Sequence, residues 1–457
     1  MGSGSSRDKP YTTYRVGSDE PLGVERCGTA TGGADRGGAD RGGGAAGGRP
    51  RRRPPRRDRG RRLALIAAAV LVALVAVAGL TVSGALPWSH GDQVAGKSGR
   101  TTAQGAAAAS PPAAATPSSS LAAAASSSSS FATATPTPTA TSVTIVAGGD
   151  VIGDRSIRTI IANQGGEAVF KGITGILTRA DLAFVNLETP LTTSGDPQYW
   201  KDVVFKGDPR LAEAMADSGV DVVTMANNHA GDQGDSGLTD SLRHLRRAGL
   251  KVCGAGSDLA TARLPRFFTV DGVRVAFLGF TDVLPVGFPA TSSSPGTSPG
   301  RSDVAAVKQA VRDAAKKADY VVVGWHWNYE LTTAPSSLEA AEGKAVIDAG
   351  ADLVIGHHPH VLQGVQAYHG GLIAWSTGNL VFDHQSGPCA ETMLVRARLS
   401  KTRIAVDLIP LTIAYDGRPK RTYGGAARIL GRVKSYSADL GTKVTIADDT
   451  GHVVVKR

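Results

Sequence analysis

Between residues 143 and 457, short apolar runs recur at 143–147, 182–185, 221–225, 273–280, 320–324, 353–355 and 372–375. Each has the length of a buried strand, and helical patterns lie between several of them, at 208–217, 237–248, 303–317 and 337–349. Such alternation specifies an α/β fold with much parallel sheet. These 315 residues can bury one large core, or a core plus an appendage. After about residue 390 the helical patterns are expected to stop, with 392–399, 403–409 and 444–446 forming a final antiparallel group. The Ser/Pro/Gly-rich stretch 285–301 reads as a surface loop.

The polar residues just past each run are as telling as the run. Strand 143–147 leads to Asp150, 182–185 to Asn186 and Glu188, and 221–225 to Asn227, Asn228 and His229. Strand 320–323 leads to His326 and Glu330, 353–355 to His357, His358 and His360, and 372–375 to Asn379 and Asp383. Taken singly, each is an ordinary turn, cap or structural histidine. Together they form a row, and ligands of open α/β sheets bind outside the carboxyl ends of the strands. Carboxylate, amide and imidazole without thiolate suit Mn, Fe or Zn in an open site. His358 and His360 are two apart, so in an extended segment stiffened by Pro359 they face one site. The donors exceed what one tetrahedral ion needs, which suits one or two ions. A pair ~3.5–4 Å apart can clamp the attacking and leaving oxygens of a phosphoryl group. A histidine beside them, itself not a ligand, would then protonate the leaving group. The loop with Tyr199, Trp200, Lys201, Phe205 and Lys206 offers substrate contacts, or ordinary packing with solvated lysines.

The first 142 residues read as an address. Residues 1–62 are rich in Gly, Arg, Asp and Ala, and carry +8 of the chain's formal +10. They offer too little apolar area to offset the entropy of ordering. A basic run at 51–62 meets an uncharged apolar stretch of 24 residues, 63–86. As a helix, that stretch spans about 36 Å, enough for a hydrocarbon core of ~30 Å. The arginines place its N-terminal side in the cytoplasm, at anionic lipid, and the rest of the chain outside. A cleaved signal peptide is the rival reading, but the run exceeds the usual 7–15-residue core of such signals. Residues 87–142 form an Ala/Ser/Thr/Pro-rich linker. Nucleic-acid binding is not expected, because the basic charge sits in a tail at the membrane. The three cysteines exclude a multi-cysteine metal site and allow at most one disulfide in the domain, Cys253 with Cys389.

The blocks GGDVIGDR (148–155), FVNLETPLT (184–192), MANNHAGDQG (225–234), WHWNYE (325–330), GHHPHVLQG (356–364) and STGNLVFD (376–383) resemble the poly-γ-glutamate capsule biosynthesis (CapA) family. That family is similar to the calcineurin-like metallophosphoesterases. The resemblance implies an α-β-β-α sandwich over 143–457, with metals at the strand ends. It implies Asp150, Glu188, Asn228, His326, His358 and His360 as metal ligands, with Glu188 bridging, and His229 as the catalytic acid. Arg155, Asn227, Lys206 and Glu330 stand beside them as candidate substrate contacts, and Glu330 is open to other roles: ligand, base or orienter of His326. Two departures are visible: no Asp-x-His follows the first strand, and Glu188 replaces the usual bridging aspartate. The implied role is an extracytoplasmic, membrane-anchored, hydrolase-like protein in synthesis, export or anchoring of poly-γ-glutamate or a related cell-envelope polymer. Its partners would be that anionic polymer, membrane lipid and membrane synthase subunits. The alternative is a non-catalytic accessory subunit that binds the polymer.

Overall fold

The structure, a computed structural model, describes residues 142–457. The expected tail (1–62), membrane helix (63–86) and linker (87–142, except its last residue) lie outside the described residues. Ser142 is not linker but the first residue of strand β1 (Ser142–Val151). Among the described residues, no helix is long and apolar enough to cross a membrane.

Two sheets stack face to face. In the larger, β1 lies between β2 (Leu182–Leu187) and β14 (Glu391–Ser400), parallel to the first and antiparallel to the second. Beyond β2 come β3 (Val222–Thr224) and β4 (Lys251–Cys253), both parallel. Beyond β14 come β15 (Arg403–Ile413), β18 (Thr450–Lys456) and β17 (Thr445–Ala447). The shorter β13 (Asn379–Val381) and β16 (Pro419–Arg421) join β1 and β15. The smaller sheet runs β11 (Val365–Tyr368), β12 (Gly371–Ala374), β10 (Leu353–His357), β9 (Tyr320–His326), β7 (Val273–Thr281) and β6 (Arg266–Val270). Its four central strands are parallel. A two-stranded ribbon pairs β5 (Ala255–Gly256) with β8 (Gly296–Thr297).

The strands are Val-, Ile- and Phe-rich because both faces are covered, as parallel strands require. One core cluster lies between the sheets and joins Val143, Ile145, Phe184 and Val222 to Phe277, Val322 and Ile355. A second lies between the larger sheet and helices Arg155–Gln164, Arg210–Asp217 and Gly234–Arg247. A third lies between the smaller sheet and helices Val304–Ala315 and Ser337–Asp348. The order of layers is therefore helix, sheet, sheet, helix, as expected. Local chemistry sets the helix starts. Asp154 accepts from Arg155 N, and Ser336 with Glu339 forms a reciprocal capping box.

Two expectations need correction. Helices do not stop near residue 390: Ala426–Asp439 buries Ala426, Ile429, Leu430 and Val433 in the inter-sheet core, and its Ser437 Oγ accepts from Val365 N at 2.9 Å. The stretch 285–301 is not all surface, since residues 296–300 are buried and contain β8. Of the disulfide the sequence allowed, Cys253 with Cys389, the structure shows none: Cys253 is a free, buried thiol. It sits in the inter-sheet core, where burial pushes it up to about 12.

Candidate metal centre

The C-terminal ends of β1, β2, β3, β9 and β10 meet at one end of the sandwich, and register sets what meets there. Asp150 is level with Asn186 of β2 and Asn379 of β13, and His326 with His357. Close backbone approach makes this possible. A Cβ on Gly149 would lie 1.8 Å from Gly378 O, and one on Gly356 1.9 Å from Trp375 O. Only glycine fits just before Asp150 and His357.

Asp150, Glu188, His326, His357 and His358 are buried, and His360 is partly so. Asn186 Nδ2 donates to Asp150 Oδ1 at 2.8 Å, and His357 Nδ1 and His360 Nδ1 stand 3.3 and 3.4 Å from the Asp150 carboxylate. Glu188 Oε1 lies 3.3 Å from His326 Nε2 and 3.9 Å from His360 Nε2. Asn228 Oδ1 is 2.8 Å from His326 Nε2. Donor atoms within 4.8 Å of one another define three sets: Glu188, His326 and His358; Asp150, Glu188 and His360; Glu330, His358 and His360. Glu188 belongs to the first two sets.

The segment that carries His358 and His360 is not extended. Their φ angles are 93° and 58°, in the left-handed region. They converge because the chain bends, with His358 N donating to Asp150 Oδ2 at 3.3 Å. Each such residue costs of order 1–3 kcal/mol and persists where the surroundings over-determine it, often at ligand clamps.

The electrostatics suit a cation. Burial opposes ionisation of Asp150, but the hydrogen bonds and charges of His357 and His360 outweigh it and hold the carboxyl well below its usual range. Burial, reinforced by the charge of Asp150, pushes Glu188 well above its usual value. Burial and neighbouring imidazoles push His326 well down and His358 down to about 3, leaving both as neutral lone-pair donors. Burial lowers His360 too, but Glu188 and Asp150 override it and raise it to about 10. Both oxygens of Glu188, Nε2 of His357 and Nδ1 of His358 are buried without a hydrogen-bond partner, and His357 Nδ1 faces only the Asp150 carboxylate. Unsatisfied buried groups cost roughly 1–3 kcal/mol each, more when charged. A divalent cation satisfies such a donor set, so the residues fit a metal.

A second cluster adjoins the first. His229 Nδ1 donates to Asp232 Oδ2 at 2.7 Å, and Asp232 also accepts from Phe205 N and pairs with Lys201. Burial lowers His229 below the ordinary imidazole value, with Asp232 opposing the shift. Burial lowers Lys201 as well, against the pull of Asp232. Arg155, half-exposed with φ 53°, lies over the Phe205 ring at 4.9 Å and 3.7 Å from Asp383. The Phe205 ring centre is 4.5 Å from that of His229, which puts Arg155 across one aromatic ring from His229. Lys206 is partly buried, and its backbone N–H donates to Asp154.

Asn227 departs from its expected role. It is fully buried, its amide donates to Asn186 Oδ1 and Leu187 O, and its own oxygen accepts from His229 N. It braces the scaffold and does not face a substrate. Asn186, His357 and Asp232 were not singled out for these roles from sequence. For Asp232 a signal existed: an acid three residues after His229 can reach back to the imidazole. Asn379 holds His360 Nδ1 at 2.8 Å, and that too has no sequence signature beyond its place after a strand.

Residues 144–384 match the protein family described as bacterial capsule synthesis protein PGA_cap. The chain is similar to "Capsule biosynthesis protein CapA" of Bacillus anthracis, 34% identical over 284 residues, covering 61% of this chain and 69% of that one. It is 33% identical over 255 residues to "PGA biosynthesis protein CapA" of Bacillus subtilis (strain 168), covering 55% and 67%. It is 28% identical over 293 residues to a "Probable polyglutamine synthesis accessory protein" of Mycobacterium tuberculosis, covering 60% and 76%. Among solved structures, a dimetal phosphatase from Danio rerio is similar at 13% identity, over 51% of this chain and 98% of that one, with a TM-score of 0.29.

Proposed function

From the premise that this chain belongs to the bacterial capsule synthesis protein PGA_cap family, we propose that it is a metal-dependent, metallophosphoesterase-like hydrolase of the cell envelope. It acts in the synthesis, export or anchoring of poly-γ-glutamate or a related anionic polymer. The observation that carries the hydrolase reading is the buried Glu188 carboxylate, unsatisfied by protein and shared between two donor sets. In this reading Asp150, Glu188, Asn228, His326, His358 and His360 hold one or two ions of Mn, Fe or Zn. A divalent ion bound there supplies Lewis acidity toward a phosphoester, or toward an acyl or amide centre. His229, with Nδ1 committed to Asp232, keeps Nε2 for moving a proton to the leaving group. Arg155 and Lys206 bind an anionic group of the substrate.

The test is metal content and turnover measured on one sample of the purified full chain. Close to two ions per chain, with hydrolysis of a phosphodiester or of poly-γ-glutamate, is the expected result. No ion after reconstitution with Mn²⁺, Fe²⁺ or Zn²⁺ would sink it. The second reading, a non-catalytic subunit that assists a membrane synthase, is favoured by the accessory role in the name of the mycobacterial relative. Bound metal without turnover of any envelope polymer supports that one.

We also propose that residues 63–86 anchor the chain as a single span, with residues 1–62 in the cytoplasm at anionic lipid and the domain outside. The support is the 24-residue uncharged run behind a basic cluster. A reporter fused after Arg457 should be active outside the cytoplasm, and activity confined to the cytoplasm reverses the topology.

A further inference from the structure

We propose that Glu330, His358 and His360 form an outer position for a divalent cation at the mouth of the cleft, from which ions pass to the inner donor sets. This rests on the metal-dependent reading above. The donor atoms of the three residues lie within 4.8 Å of one another. They grade from outside inward: Glu330 is exposed, His360 is partly buried and His358 is buried.

The placement of Glu330 is built. It lies beyond β9 on a short segment in which Asn328 and Leu331 hold φ angles of 72° and 62°. Leu331 N donates to Pro359 O at 2.8 Å, which ties the segment to the residue between the two histidines. Gln363 Nε2 donates to Thr332 O at 2.9 Å and closes it from the other side. Four non-glycine residues in the left-handed region, two on each segment, thus flank the Leu331–Pro359 contact. Such strain is retained where surrounding contacts fix it. Here those contacts aim one carboxylate at two imidazoles.

Two imidazoles and one carboxylate with open remaining positions suit Fe²⁺, Mn²⁺ or Zn²⁺. His358 is also a member of the set with Glu188 and His326, and His360 of the set with Asp150 and Glu188. An ion at the outer position thus shares one histidine with each inner set, and moves inward by exchanging Glu330 and the other histidine for Glu188 and either His326 or Asp150. An ion arriving from solvent reaches the exposed carboxylate before the buried donors, which makes Glu330 its first contact.

The test is the rate of Mn²⁺ uptake by the metal-free full chain. Glu330→Gln should slow uptake about tenfold or more, an expectation scaled to the affinity losses that follow removal of groups supporting a metal site. Tyr329→Ala, a change at the exposed neighbour, should load at the parent rate. Parent-like uptake by Glu330→Gln overturns the proposal, and so does equal slowing by Tyr329→Ala, which would mark a loop effect. If the parent itself takes up no metal, this proposal and the hydrolase reading fall together. If the parent loads normally and Glu330→Gln matches it, only this proposal fails.

Discussion

Glu188→Gln should abolish tight binding of at least one ion and yet raise the melting temperature of the metal-free protein. The two effects have one cause. Glu188 is buried beside Asp150, and neither of its oxygens accepts a hydrogen bond. With a cation present it would be a shared ligand; without one it is a buried carboxyl whose charged form is disfavoured. Replacing a buried carboxyl whose charged form is disfavoured with a neutral isostere should stabilise by about 1–3 kcal/mol. Linkage sets the sign with pH. The folded-state pKa of Glu188 lies above its unfolded value, so its contribution to stability is present at low pH and is lost as pH rises through the folded value. The variant lacks that loss. Its advantage should be near zero around pH 4.5 and grow toward neutrality. Added Mn²⁺ should then stabilise the parent more than the variant. Thermal melts at several pH values, with and without Mn²⁺, read all of this. A variant that melts at or below the parent at every pH, metal-free, contradicts the account, as does one that keeps two tight ions.

The framework of this site was legible because buried parallel strands advertise themselves. Their apolar runs are uninterrupted, and the first polar residue after each run sits at the sheet edge by necessity. Hence Asp150, Glu188, Asn228, His326, His358 and His360 could be named from spacing and from family resemblance, and they meet in space. What was not legible depended on tertiary contact. His358 precedes a proline, a context that favours extended backbone. Its contact with Asp150 and the bend after β10 override that preference. Asp232 reads in sequence as part of a Gly-Asp-Gln-Gly turn, and only the fold shows its carboxylate holding His229, Phe205 N and Lys201 together. The helix Ala426–Asp439 carries a clear apolar stripe at 426, 429, 430 and 433, but it comes after a run of strands and covers the gap between two sheets. Its role depends on an arrangement that local pattern does not encode.

His229→Ala should lower turnover by about 10²- to 10⁴-fold while metal content stays at the parent level. The size of the loss should depend on the leaving group. An alkyl phosphoester departs as a basic alkoxide and needs a proton, whereas p-nitrophenolate departs without one. The deficit of His229→Ala should therefore be large for the first and small for the second. Asp232→Asn tests the same proton from behind. Asp232 fixes Nδ1 as the donor and opposes the lowering of His229 by burial. Its amide would remove the negative charge that favours the imidazolium, so turnover should fall with the same dependence on the leaving group. Because burial lowers His229, the protonated form is already scarce at neutral pH, and parent turnover of alkyl esters should decline further on the alkaline side. A His229→Ala variant equally slow on both esters would place the residue in positioning rather than proton transfer. One that retains full turnover with unchanged metal would remove it from the reaction altogether.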